Sequence, residues 1–200
     1  MLWEWLNGRK QVFILDLDGT LIPSAEVDNS CFWEAVFSCF DHHGPLPELQ
    51  EFTHVTDSGI LDEWCRKTLG RLPLKQEISL TKQVFLQKLK AAFTWQPHHF
   101  EALPGVRQWL QAANDNEDIL AGIATGGWEQ SARLKLKLAG LDHFNLHLAS
   151  SDDAIERTEI MRIAAQRVLG EAGNEADGIT YVGDGPWDVT ATRQLGWKFI

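Results

Sequence analysis

Four apolar residues, Val12-Phe13-Ile14-Leu15, run straight into Asp16-Leu17-Asp18-Gly19-Thr20-Leu21. A continuous apolar run that ends in a turn signal predicts a strand buried on both faces. The pattern recurs three times. Residues 119–124 end at Thr125-Gly126-Gly127, residues 146–149 at Ser150-Ser151-Asp152-Asp153, and residues 179–182 at Gly183-Asp184-Gly185-Pro186-Trp187-Asp188. A last apolar run starts at Trp197 and reaches Ile200, where the chain stops. Helical spacing fills the gaps: Val106, Trp109 and Leu110 after Pro104-Gly105, then Ile160, Ile163, Ala164 and Val168, then a short helix over 189–195 stopped by Gly196. Strands alternating with helices imply right-handed crossovers and a parallel sheet.

Two stretches read differently. Over 128–139, Leu134-Lys135-Leu136-Lys137-Leu138 alternates like a strand, while Leu134, Leu138 and Leu141 also fit a helix. Length, good helix formers and Gly140 as a stop favour the helix. From 24 to 100 no strand is convincing. Phe32/Val36/Cys39/Phe40, Ile60/Leu61/Trp64/Cys65/Leu69 and Phe85/Leu89/Ala92/Phe93 form three apolar stripes, jointed at Gly44-Pro45, Gly70/Pro73 and Pro97. An all-helical insertion over 24–100 in a parallel α/β core made of 1–23 and 101–200 is the predicted domain plan.

Composition narrows the function. A net charge of −10 and a pI near 5.1 argue against nucleic acid or an anionic membrane as partner. Cys31, Cys39 and Cys65 are odd in number and contain no C-x-x-C pair, which fits reduced thiols in a cytoplasmic protein. The first ten residues lack a basic start leading into a long apolar run, so no secretory signal is expected, and no stretch of eighteen apolar residues exists for a transmembrane helix. The nine tryptophans are expected mainly to fill cores, Trp128 included, although its place after Gly126-Gly127 also suits a cavity entrance.

The polar residues at the strand ends carry the chemistry. Asp16 and Asp18, Thr125, the segment after Ala149, and Asp184 with Asp188 all fall where ligands bind in open parallel sheets. An ideal strand would point Asp16 and Asp18 the same way. Carboxylates gathered there need a cation, and an all-oxygen donor set suits Mg²⁺.

The run Asp16-Leu17-Asp18-Gly19-Thr20-Leu21 resembles the first signature, D-x-D-G-T-L, of the haloacid dehalogenase-like (HAD) hydrolases. Thr125 resembles the second signature, and Asp184 with Asp188 the fourth, G-D-x-x-x-D. The resemblance spans essentially the whole chain and implies a Rossmann-like parallel sheet with an all-helical C1 cap. It implies Asp16 as nucleophile, Asp18 as general acid/base, Thr125 and Gly126 on the transferring phosphoryl group, and Asp16, Asp18, Asp184 and Asp188 as the Mg²⁺ site. The third signature is usually lysine. Here no lysine precedes the helix, and Arg157 takes that place, unless it merely pairs with Glu156 or Asp153 at the surface. The stretch Thr53-His54-Val55-Thr56-Asp57-Ser58-Gly59 resembles the cap loop that reaches the nucleophile, with His54 as a substrate contact. A carboxylic acid at Asp18 favours phosphate transfer over dehalogenation. The expected activity is a Mg²⁺-dependent phosphatase of small phosphorylated metabolites, with a β-phosphoglucomutase-like mutase or a non-catalytic binding protein as alternatives.

Overall fold

The computed structural model describes residues 10–170 and 176–200; the N-terminal stretch read for a signal lies outside the described residues. Five strands, β1 (Lys10–Leu15), β2 (Ile119–Ala124), β3 (His147–Ala149), β4 (Ala176–Val182) and β5 (Lys198–Phe199), form one sheet in the order β3-β2-β1-β4-β5. Every pairing is parallel, and Leu15 stands between Ile123 and Val182. The apolar run of β1 is central, and both its faces are covered. Val12 and Ile14 turn to one side, where Ile160 and Ala164 of α6 (Arg157–Leu169) and Ala191 of α7 (Pro186–Leu195) pack. Leu15 turns to the other, with Leu110 of α4 (Val106–Asn114) and Ala132 and Leu136 of α5 (Glu129–Leu138). Full burial of a side chain such as Ile14 contributes about 1.5–3 kcal/mol, so this strand anchors both layers. The doubly periodic stretch 128–139 is helix, as length and composition favour.

Residues 24–100 contain no strand. They hold α1 (Ala25–Phe40), α2 (Asp57–Leu69) and α3 (Lys75–Trp95), with α1 packed along α3. Their core is aromatic: Phe32, Trp33, Trp64 and Phe85 are buried together. It is not closed within the insertion. Trp128, at the start of α5, is fully buried in it, with ring centroids 5.5 Å from Phe32 and 5.9 Å from Phe85. Leu134 and Leu138 of α5 pack against the same cluster. Trp128 is therefore core and not an entrance residue. Among the described residues, no helix is long and apolar enough to cross a membrane.

Candidate active site

β1 ends at Leu15, and the chain then turns tightly: the amides of Leu21 and Ile22 both donate to the Leu17 carbonyl. Gly19 sits at φ +84°, and a side chain there would overlap the Asp184 carboxylate, so glycine serves both the turn and the close approach. The strand ends before the two acids, so strand alternation does not set where their carboxylates go. Both line a cavity of about 330 Å³ at the carboxyl edge of the sheet, but their carboxylates have different partners.

Asp16 joins Asp184 and Asp188. One oxygen from each lies within 4.8 Å of the others. Arg157 enters this group from the first turn of α6. Its Nη1 donates to Asp188 Oδ1 at 2.8 Å and to Tyr181 Oη at 3.3 Å, and stands 3.8 Å from Asp16 Oδ1. Its Nη2 donates to the Val55 carbonyl at 3.4 Å, while its Nε–H is buried without a protein partner. Arg157 is thus not a surface arginine; Asp153 pairs with Arg167 instead. Burial works against the guanidinium charge, but Tyr181, Asp16 and Asp188 outweigh it and hold its pKa above the usual value.

Burial pushes the Asp16 carboxyl well above the ordinary range; Arg157 opposes this, and the charges of Asp188 and Asp18 add to it. Burial and Asp188 raise Asp184 as well. Three carboxylates against one guanidinium leave two negative charges, the complement of one divalent cation. The donors are all oxygens and suit Mg²⁺. By chemistry and charge, the residues fit the ion.

Asp18 stands outside this group, so the four acids expected at the metal reduce to three. Its carboxylate is held by Lys135, whose Nζ donates to Oδ1 at 2.6 Å and Oδ2 at 2.5 Å, and by the Ser24 hydroxyl at 2.5 Å. Lys135 also donates to Asp28 Oδ1 at 2.6 Å. The lysine side chain is completely buried. Burial disfavours the ammonium, but Asp18 and Asp28 overcome that and raise its pKa. One cation between two acids leaves Asp28 under-compensated: burial, with repulsion from Asp18, moves it up to about 6 despite Lys135. Because folding raises this pKa, the native state binds the proton more tightly. Its stability contribution is full below about pH 4 and is lost as pH rises toward 6. A rise from 3.8 to about 6 corresponds to about 3 kcal/mol. Asp28→Asn should therefore flatten the fall in stability between pH 4 and 6, measured by urea unfolding at each pH against the parent protein.

Lys135 and Asp28 were not among the residues singled out by sequence. A signal existed: Trp128, Ala132, Lys135 and Ala139 lie on one helical stripe, and every member is buried. The alternation of leucine and lysine obscures it. Asp28 lies 107 residues away and gives no local cue.

Thr125 directly follows β2, is buried, and accepts the Gly127 amide at 3.1 Å. A side chain at Gly126 would lie 2.7 Å from Arg157 Nη2 and 3.0 Å from the Val55 carbonyl oxygen, so this position must stay bare. The loop before α2 does reach the cavity, through Val55, Thr56 and Asp57. His54 does not; it lines a separate cleft with Asp62, Arg66 and Glu156. The start of α2 is tied to the sheet edge. The Asp57 amide donates to the Gly126 carbonyl and the Asp57 carboxylate accepts the Trp128 amide, both at 2.8 Å. The Thr56 and Ser58 hydroxyls donate to the Ile155 and Ser151 carbonyls. Tyr181, also unforeseen, receives Arg157, and its own proton serves the Ala124 carbonyl or Asp188.

The model of the haloacid dehalogenase-like hydrolase family matches residues 10–196. The chain belongs to this family. Among solved structures, a hydrolase from Pseudomonas syringae is 22% identical, with a TM-score of 0.69 over 94% of this chain and 82% of that one. CbbY from Rhodobacter sphaeroides in complex with phosphate is 18% identical, with a TM-score of 0.66 over 94% and 84% of the two chains. A predicted phosphoglycolate phosphatase from Haemophilus somnus 129PT is 17% identical, with a TM-score of 0.61 over 95% and 84%. At these identities the likeness is one of fold. No curated protein matches the chain.

Proposed function

We propose that this HAD-like hydrolase is a Mg²⁺-dependent phosphatase of small phosphorylated metabolites, with residues 24–100 as its cap. The carrying observation is the joining of Asp16, Asp184 and Asp188 with Arg157, whose buried Nε–H lacks a partner, beside Thr125 at one sheet edge. Asp16, Asp184 and Asp188 would hold the ion, which supplies positive charge against the repulsion between a carboxylate and a phosphate dianion. Thr125, the bare Gly126 backbone and Arg157 bind the phosphoryl oxygens. Asp16 attacks phosphorus, forming an aspartyl-phosphate as the bond to the leaving oxygen breaks. Asp18 in its protonated form gives that oxygen a proton and, left as the carboxylate that Lys135 and Ser24 hold, takes one from the water that opens the acyl phosphate. The unpaired Cys31, Cys39 and Cys65 support a reducing, cytoplasmic setting.

Nitrophenyl phosphate turnover with Mg²⁺ and in chelator tests this, with the thermal midpoint as a second readout. Turnover is expected only with the ion, and Mg²⁺ should raise the midpoint at pH 8. Inertness across nitrophenyl phosphate and a metabolite-phosphate panel would make the protein a non-catalytic member of the fold. Arg157→Met should lower kcat/KM by about 10²–10³-fold, because a charge-stabilising donor is lost. Steady-state kinetics at saturating Mg²⁺ reads this.

A further inference from the structure

The phosphoryl end of the cavity is charged, but the remainder is not built for a second charge of the same sign. Besides Asp16, Thr125 and Arg157, the lining includes the apolar or aromatic Phe32, Leu49, Val55, Ile60 and Trp187, with Asn29 as a neutral polar group. The remaining ionisable groups that line it, Asp18, Asp28, Asp57 and Asp184, are all acids. Among the described residues Arg157 is the one lysine, arginine or histidine that lines the cavity, and it is committed to Asp188 and Asp16. The nearby cations are taken or face elsewhere. Lys135 is completely buried between Asp18 and Asp28, Lys82 pairs with Asp152 outside the lining, and Arg66 borders the separate cleft with His54.

We infer that the substrate is a phosphate monoester whose leaving group carries no second anion: a small, uncharged alcohol with an apolar flank. This rests on the phosphatase reading and names its substrate class. An anion on the leaving group would lose its water against apolar walls and acids, with no cation to replace that water. Phosphorylated carboxylic acids and bisphosphates are disfavoured on this ground. A phosphomutase that passes through a bisphosphate is disfavoured with them.

The test is a matched series with the whole protein and Mg²⁺: pentyl phosphate, 5-hydroxypentyl phosphate, 4-carboxybutyl phosphate and pentane-1,5-diol bisphosphate. Each is measured for kcat/KM and, where turnover is too slow, for its competition constant against nitrophenyl phosphate. The two esters with uncharged leaving groups should exceed the carboxylate and bisphosphate by about 100-fold, since specificity here comes from an unpaired buried charge. Asn29→Lys, which places a cation in the cavity lining, should shrink that ratio by about tenfold. Ratios within about fivefold, a preference for the carboxylate or the bisphosphate, or an unchanged ratio in Asn29→Lys would overturn the inference while leaving the phosphatase intact. Failure to turn over nitrophenyl phosphate or any ester would instead remove the phosphatase reading, and this inference with it.

Discussion

Asp16→Asn is expected to abolish turnover, by at least about 10⁴-fold in kcat, and at the same time to raise the thermal midpoint of the metal-free protein at pH 8. An amide has no anionic oxygen to attack phosphorus. The stability gain follows from the position of the acid. Burial raises the Asp16 pKa, with Arg157 partly opposing and Asp188 and Asp18 reinforcing the rise. A raised carboxyl pKa means the native state holds the proton more tightly than the unfolded chain. The stability it carries is therefore present below the unfolded value and lost as pH increases. Asparagine removes that loss. Mg²⁺ should reverse the order of the two proteins, because the parent gains a ligand that the variant binds less well. Calorimetry in chelator and in Mg²⁺, beside a phosphate-release assay, reads all three outcomes. Residual turnover above the stated limit, with deamidation excluded by mass, would remove Asp16 from the nucleophile's role.

Lys135→Met should cost about 3–5 kcal/mol of stability at pH 8, the usual result of removing one partner from a buried ion pair. Methionine fills much of the same volume, so the loss comes from charge. Asp18 and Asp28 would face each other across a buried space with no cation between them. Acid should lessen the penalty, since Asp28 already takes a proton near pH 6 in the parent protein and would do so sooner without the lysine. Adding Asp28→Asn to Lys135→Met should recover a large part of the loss, a coupling that a double-mutant cycle in urea isolates. A loss independent of pH and of Asp28 would show that Lys135 acts through packing and not through charge.

Much of the candidate site's layout was legible because each part of it is local. An apolar run ending in acids marks a strand end wherever it occurs, and Asp16, Thr125 and Asp184 each sit on one. The chain's departure at Arg157 could also be seen, because it follows from position along the strand-loop-helix unit. Long-range matters were not legible. Whether the Asp18 carboxylate joins Asp16, Asp184 and Asp188 or pairs with Lys135 depends on contacts far along the chain, which strand alternation at β1 does not give. The loop at 53–59 reaches the cavity as expected, but the residues that face it are Val55, Thr56 and Asp57. The Thr56 and Asp57 hydrogen bonds across the sheet edge fix the loop's rotation and leave His54 on the far side.

α5 belongs to three environments at once. Trp128 and Leu134 enter the aromatic core of the insertion, Ala132 and Leu136 enter the core under the sheet, and Lys135 ties Asp18 to Asp28 of α1. A helix shared in this way makes residues 24–100 inseparable from the rest in folding. Excising them would strip Trp128 of its neighbours and leave Lys135 without one of its acids. The insertion should therefore exchange its amide hydrogens together with the sheet, as one cooperative unit. Grafting it onto another scaffold would require α5 to travel with it.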